Sequence, residues 1–254
     1  MINTGLVSVT FRQLDAAQII NLAASAQVKG IEWGGDVHVP PGDVRTASEI
    51  RCLTEGQGLV VIAYGSYYRV GLDESKQEAF ELILSSAAAL GAPVIRVWAG
   101  KTASAATCAA DRKRIVADTL RIADLAHQQN IDIAFEYHEN SLTDSVLSAR
   151  QLLEEVNHPH VYTYWQPLKH MDEAEKAASL KAALPWLKHV HIQSIVNGQI
   201  DSLESGKAKI AAYLGILQNA NIDCYAMIEF VRQHDPDQFI KDAAVLNRLV
   251  SSYD

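Results

Sequence analysis

The chain has 254 residues, 48% hydrophobic and 20% charged, which is enough for a sizeable core and ordinary for a globular protein. A formal net charge of −8 argues against a nucleic-acid partner, because binding the phosphate backbone calls for a positive stripe. No apolar run approaches the ~20 residues that span a bilayer. The start MINTGLVSVTF lacks a secretory pattern, and Cys52, Cys108 and Cys224 form no CxxC pair, so the expectation is a cytoplasmic protein without a membrane partner.

Short apolar runs, β-branched or aromatic and bounded by turn residues, predict strands over 6–10, 30–33, 60–64, 94–98, 131–136, 161–165, 189–193 and 224–229. Amphipathic stretches between them predict helices over 15–26, 45–57, 73–90, 109–129, 147–156, 172–187, 207–219 and 236–251. In the third helix, Phe80, Ile83, Leu84 and Ala87 recur at helical spacing, and Gly91 follows as a stop. Strict strand–helix alternation predicts an α/β fold, a (β/α)8 TIM barrel, with residues 1–254 as one domain. An open doubly wound sheet would usually carry GxGxxG or GxxxxGK[ST], and neither occurs.

Active sites of such barrels lie at the C-terminal ends of the strands. The fifth strand ends in Glu136, the sixth runs into Gln166, the seventh contains His191 and the eighth ends in Glu229. Taken singly, a carboxylate could cap a helix, the histidine could be a bonded core residue, and Gln166 beside Pro167 could be a turn. Together they converge in one volume, where two carboxylates need a cation to stay ionised. Two carboxylates, an imidazole and an amide oxygen suit one Mn, Mg or Co ion, with Zn an alternative.

Other residues keep two readings. Arg96 and Trp98 share a strand face, and the guanidinium needs either Glu32 or a substrate oxygen as partner. Trp98 and Trp165 either stack on a sugar or fill the barrel top. His38 is a substrate-facing or a solvated loop residue, and His138 contacts either substrate or its neighbours. His189 is expected to be an interior hydrogen-bonded residue and not a ligand. The loops after the last two strands show no phosphate cradle, which favours an unphosphorylated substrate.

These strand ends, with GIEWGGDVHVP (30–40), YGSYYRVG (64–71) and IRVWAG (95–100), resemble the xylose isomerase-like barrels over the whole chain. The resemblance implies one divalent metal on Glu136, His191 and Glu229, with Gln166 where the family usually has Asp and Lys169 where it often has His. It implies Glu136 and Glu229 as the acid and base next to a carbonyl of a sugar or cyclitol. The implied activity is an isomerase or epimerase, with a keto-polyol dehydratase or a non-catalytic sugar-binding barrel as alternatives. Its implied partner is a small sugar or polyol, and it leaves room for a homo-oligomer.

Overall fold

The eight apolar runs form eight parallel strands that close on themselves. They are β1 (Ile2–Val7), β2 (Gly30–Gly34), β3 (Val60–Arg69), β4 (Val94–Trp98), β5 (Asp132–Glu136), β6 (Val161–Trp165), β7 (Leu187–Ile192) and β10 (Cys224–Ile228). Each pairs with its neighbour in order, and β10 pairs with both β7 and β1 to close the ring. The structure is a computed structural model that describes residues 1–72 and 78–252. Between the strands run α1 (Ala16–Ser25), α2 (Val44–Gly56), α3 (Phe80–Leu90), α4 (Ala109–His127), α5 (Val146–Val156), α6 (Glu173–Ala183) and α7 (Lys207–Asn219), and α8 (Pro236–Ser251) follows β10. Among the described residues, no helix is long and apolar enough to cross a membrane.

Local chemistry sets the helix ends. Asp15 with Gln18, and Asp172 with Glu175, form reciprocal capping boxes that occupy otherwise orphan amides. Gly91 ends α3 at φ +72, a left-handed cap of the kind glycine adopts without penalty. Residues 73–77 of the helix expected over 73–90 lie outside the described residues.

β3 runs five residues past its expected end, α6 stops at Ala183 with β7 starting at Leu187, and two further departures reach the mouth. Residues 8–11 do not continue β1: its pairing with β2 ends at Val7–Glu32, and Ser8–Phe11 instead forms a buried 3-10 turn. A strand without a partner leaves its peptide groups unbonded, whereas a 3-10 turn bonds some of them internally. The second departure is an antiparallel hairpin, β8 (Ser194–Val196) and β9 (Gln199–Asp201), outside the barrel sheet. Its turn is Asn197–Gly198, both with positive φ, which is the turn chemistry such two-residue loops require.

Period two divides each strand between two cores. Val7, Ile62, Val94, Ala134, Tyr164 and Met227 cluster inside the barrel beneath its mouth. Residues of the opposite parity, Phe135 and Trp165 among them, join the larger core between sheet and helices. Phe135→Ala is expected to cost about 3–5 kcal/mol by opening a cavity in that layer. Urea unfolding measures it, and a loss under 1 kcal/mol would mean the layer collapses around the gap.

Candidate active site

Four strand-borne side chains meet at the mouth because their positions share the inward parity of the barrel. Glu136 ends β5, His191 lies in β7, Glu229 follows β10 and Gln166 follows β6. Ligand atoms of Glu136, His191 and Glu229 all lie within 4.8 Å of one another, and all three residues are buried. Glu136, Gln166 and Glu229 line a cavity of about 380 Å³, as do Tyr67, Trp98, His138 and Lys169, and His191 lies buried behind them.

Beneath the mouth, Arg96 of β4 holds the cluster together. Its Nη1 donates to Glu136 Oε2 at 2.7 Å, and its Nε donates to Glu32 Oε1 at 3.4 Å, all three side chains being almost fully buried. Trp98, on the same face, donates its indole N–H to that same Glu136 oxygen. Gln166 Nε2 donates to the other oxygen at 3.0 Å and to the Tyr137 carbonyl at 2.7 Å. Both partners are acceptors, so the amide is oriented and its Oε1 is not spent on these contacts. Burial alone would raise the Glu136 pKa, but Arg96, His191 and Trp98 outweigh it and hold the carboxyl down at about 2.

His191 completes the cluster from the other side. Its Nε2 faces Glu32 Oε2 at 3.4 Å, while Nδ1 lies 3.4 Å from both Glu136 Oε1 and Glu229 Oε2. Neither Nδ1 contact has hydrogen-bond geometry, so this buried nitrogen has no hydrogen-bond partner among the described residues. An orphan imidazole nitrogen between two carboxylate oxygens fits a divalent cation. Glu136, His191 and Glu229 would hold that cation, with Gln166 Oε1 as a neutral fourth donor. Burial disfavours the imidazolium, but Glu229, Glu32 and Glu136 outweigh that and raise the His191 pKa well above its ordinary value.

The remaining expected residues separate into two groups. His138 lines the cavity, stacked obliquely on Trp98 at 4.8 Å, and its Nδ1 donates to the Glu139 carbonyl at 2.7 Å. Glu32 lies under the cluster, fully buried and paired as described. His38 does not line the cavity: its Nε2 donates to the Leu14 carbonyl at 3.2 Å, so Nδ1 accepts from Ser8 Oγ at 3.1 Å. Trp165 also faces away, since it has the opposite parity to Gln166, and it donates to Ser179 of α6 and packs on Tyr213 of α7. His189 is buried and accepts from the Tyr225 amide at 3.2 Å, with burial pushing its pKa down to about 3.

Two groups near the mouth escaped the sequence reading. Tyr67 accepts a hydrogen bond from Arg12 at 2.6 Å and donates to Asp36 at 3.0 Å, forming a polar chain at the rim. The register of β3 shifts between Gly65 and Arg69, so parity counted from the strand start could not place Tyr67. Gly65 is the second: a Cβ there would lie 2.8 Å from Glu32 Oε1 and 2.9 Å from Arg96 Nη2.

A model of the xylose isomerase-like TIM barrel family matches residues 20–249. The chain belongs to that family. As a xylose isomerase-like barrel it is 27% identical to a 3-dehydroshikimate dehydratase of Bacillus anthracis, over 200 residues covering 75% of this chain and 71% of that protein. The solved structure of a probable 3-DHS dehydratase from Bacillus anthracis matches with a TM-score of 0.76 at 23% identity, covering 96% of this chain and 98% of that one. A D-psicose 3-epimerase from Clostridium cellulolyticum H10, solved with D-tagatose, matches with a TM-score of 0.75 at 16% identity, covering 99% of each chain. At these identities the two solved structures speak for the shared xylose isomerase-like fold alone.

Two measurements probe the cluster. The raised His191 pKa means that the metal-free imidazole holds its proton at neutral pH, so a cation taking Nδ1 must displace it. Titrating Mn²⁺ by calorimetry in buffers of different ionisation enthalpy is expected to show about one proton released and weaker binding as pH falls. Binding without proton release would remove His191 from the ligand set. Separately, Gly65→Ala is expected to force Arg96 and Glu32 apart and to cost up to about 3–5 kcal/mol in urea unfolding. An unchanged midpoint would show that the pair can shift freely.

Proposed function

We propose that the chain is a divalent-metal-dependent dehydratase that removes water from a small polyhydroxylated ketone of the 3-dehydroshikimate kind. The observation that carries this reading is the Glu136–His191–Glu229 cluster, with its unpartnered imidazole nitrogen, at the floor of the mouth cavity. Two further facts favour dehydration: the 27% identical relative is a 3-dehydroshikimate dehydratase, and the two carboxylates are unequal. Glu136 accepts from Arg96, Trp98 and Gln166, so both its oxygens are engaged. A carboxylate so stabilised is a weak base and a good anchor. Glu229 touches only His191 Nδ1 among the described ionisable groups and lines the cavity, so it is the carboxylate able to take a proton.

The chemistry follows from that inequality. A bound divalent ion supplies polarisation of the substrate carbonyl, which acidifies the neighbouring carbon. Glu229 removes a proton from that carbon, and the electron pair of the broken C–H bond becomes part of a new C=C bond. The β-hydroxyl then leaves, and the proton held by Glu229 is returned to it, giving water. Arg96 and Trp98 keep Glu136 anionic and fixed throughout, so its charge stays in register with the site. His138 offers a polar edge to the substrate, while the Trp98 ring is already flanked by His138 at 4.8 Å and by the Arg69 guanidinium at 4.2 Å.

Epimerisation of a ketose is the second reading, favoured by Glu136 and Glu229 both lining the cavity. It requires both carboxylates to exchange protons, one on each side of the reacting carbon. A panel of 3-dehydroshikimate and free ketoses in D₂O, with and without Mn²⁺, separates the two. Dehydration predicts metal-dependent formation of a conjugated, ultraviolet-absorbing product, with Glu229→Gln lowering kcat by about 10²–10⁴ at saturating metal. Deuterium entering ketoses, with 3-dehydroshikimate left intact, would overturn dehydration in favour of epimerisation.

A further inference from the structure

Glu229 is followed by a turn that the sequence gives no reason to expect. Phe230 has φ +60, Gln233 φ +60 and His234 φ +52, and none of the three is a glycine. Side chains with a Cβ avoid this left-handed region unless their surroundings impose it, and an aromatic residue is a poor occupant of it. What imposes it here is one residue on the far side of the β1–β10 seam. The amide of Phe230 donates to Thr10 Oγ1 at 3.0 Å, and His234 Nδ1 donates to the Thr10 carbonyl at 3.0 Å. Thr10 is fully buried in the 3-10 turn after β1, so it offers a fixed point. Gln13 of the same segment adds a bond from Nε2 to the His234 carbonyl at 3.0 Å.

The direction of Glu229 depends on this fastening. Its own amide is tied to the Ile192 carbonyl of β7 at 3.1 Å, while the peptide that follows it is tied to Thr10. With both sides held, the backbone at Glu229 fixes where its side chain starts, and from there the carboxylate reaches His191. Were Phe230 to relax to negative φ, the chain would leave Glu229 in another direction and the carboxylate would swing with it. We propose that Thr10 is a positioning residue for Glu229, its hydroxyl and carbonyl clamping the Phe230–His234 turn in the left-handed form that keeps the carboxylate on His191. The clamp rests on the reading of Glu229 as metal ligand and base, and its test separates the two.

Thr10→Val removes the hydroxyl and preserves the shape. The dissociation constant for Mn²⁺ is expected to rise about 10- to 100-fold, as for loss of other groups that orient metal ligands, while Thr10→Ser stays near the wild-type value. The deciding variant is Thr10→Val combined with Phe230→Gly. Glycine takes φ +60 without a Cβ penalty, so the double variant is expected to regain much of the lost affinity. A threonine that merely fills space would not be rescued in this way. Trypsin cleavage after Arg232, inside the turn, gives a metal-independent reading, expected to be faster in Thr10→Val and unchanged in Thr10→Ser. If Thr10→Val does not fold, His234→Ala removes the other bond and is expected to shift both readings in the same direction by less. Unchanged Mn²⁺ affinity together with unchanged cleavage would overturn the clamp, as would failure of the glycine rescue. If the wild-type protein itself takes up no Mn²⁺, the ligand reading falls, and the cleavage rates alone decide for or against the clamp.

Discussion

The guanidinium of Arg96 is the element on which the site depends. It is buried between Glu32 and Glu136, and removing it would take from both buried carboxylates their shared guanidinium partner. Such a triad is a costly way to hold a barrel together, and apolar side chains would fill the space at lower cost. What the triad supplies is direction. Glu136 is turned so that one oxygen faces Arg96 and Trp98 while the other faces His191 and Gln166. Glu32 in turn occupies the Nε2 side of His191 and leaves Nδ1 aimed at the mouth. A polar layer beneath the cluster thereby sets which atoms point upward, an arrangement like that of carboxylates behind ligating histidines in metal sites generally.

That layer also sets the two mouth carboxylates apart. Glu136 is surrounded by donors and is held as a fixed anion, whereas Glu229 is steered by its backbone and carries its carboxylate more freely. A pair of glutamates at matching strand ends can look interchangeable in a sequence, yet their surroundings differ. The difference resides in residues outside the cluster: Arg96 and Trp98 on β4, Gln166 after β6, and Thr10 beside the turn after Glu229.

The barrel was legible in the sequence because alternation of strands and helices is a long-range regularity that local irregularity does not erase. The meeting of Glu136, Gln166, His191 and Glu229 was legible for a related reason: a closed parallel sheet carries its strand ends to one rim. Parity carried further information than was drawn from it. Trp165 and Gln166 are adjacent in an extended strand, so they face opposite ways, and Gln166 at the mouth already implies Trp165 against the helices. Tyr67 was out of reach because a register shift in β3 breaks the parity count before it. The β8–β9 hairpin had a local signal in Asn197–Gly198, but its flanking strands of three residues are too short to stand out as periodic. The left-handed turn after Glu229 left no compositional trace at all, since Phe230, Gln233 and His234 are residues that ordinarily avoid it.

The way the ring closes gives the cluster a second significance. β10 is the strand that joins β7 to β1, and Glu229 follows it directly, while Glu136 lies across the barrel on β5 and His191 beside it on β7. With β10 seated on β7, Glu229 comes within reach of His191 and Glu136. On the proposed reading, a cation held by all three would favour the state in which β10 is seated on β7, and its binding energy would add to the stability of that state. Occupancy of that site and docking of β10 would then be one equilibrium viewed from two ends, and the mouth would double as a latch for the fold.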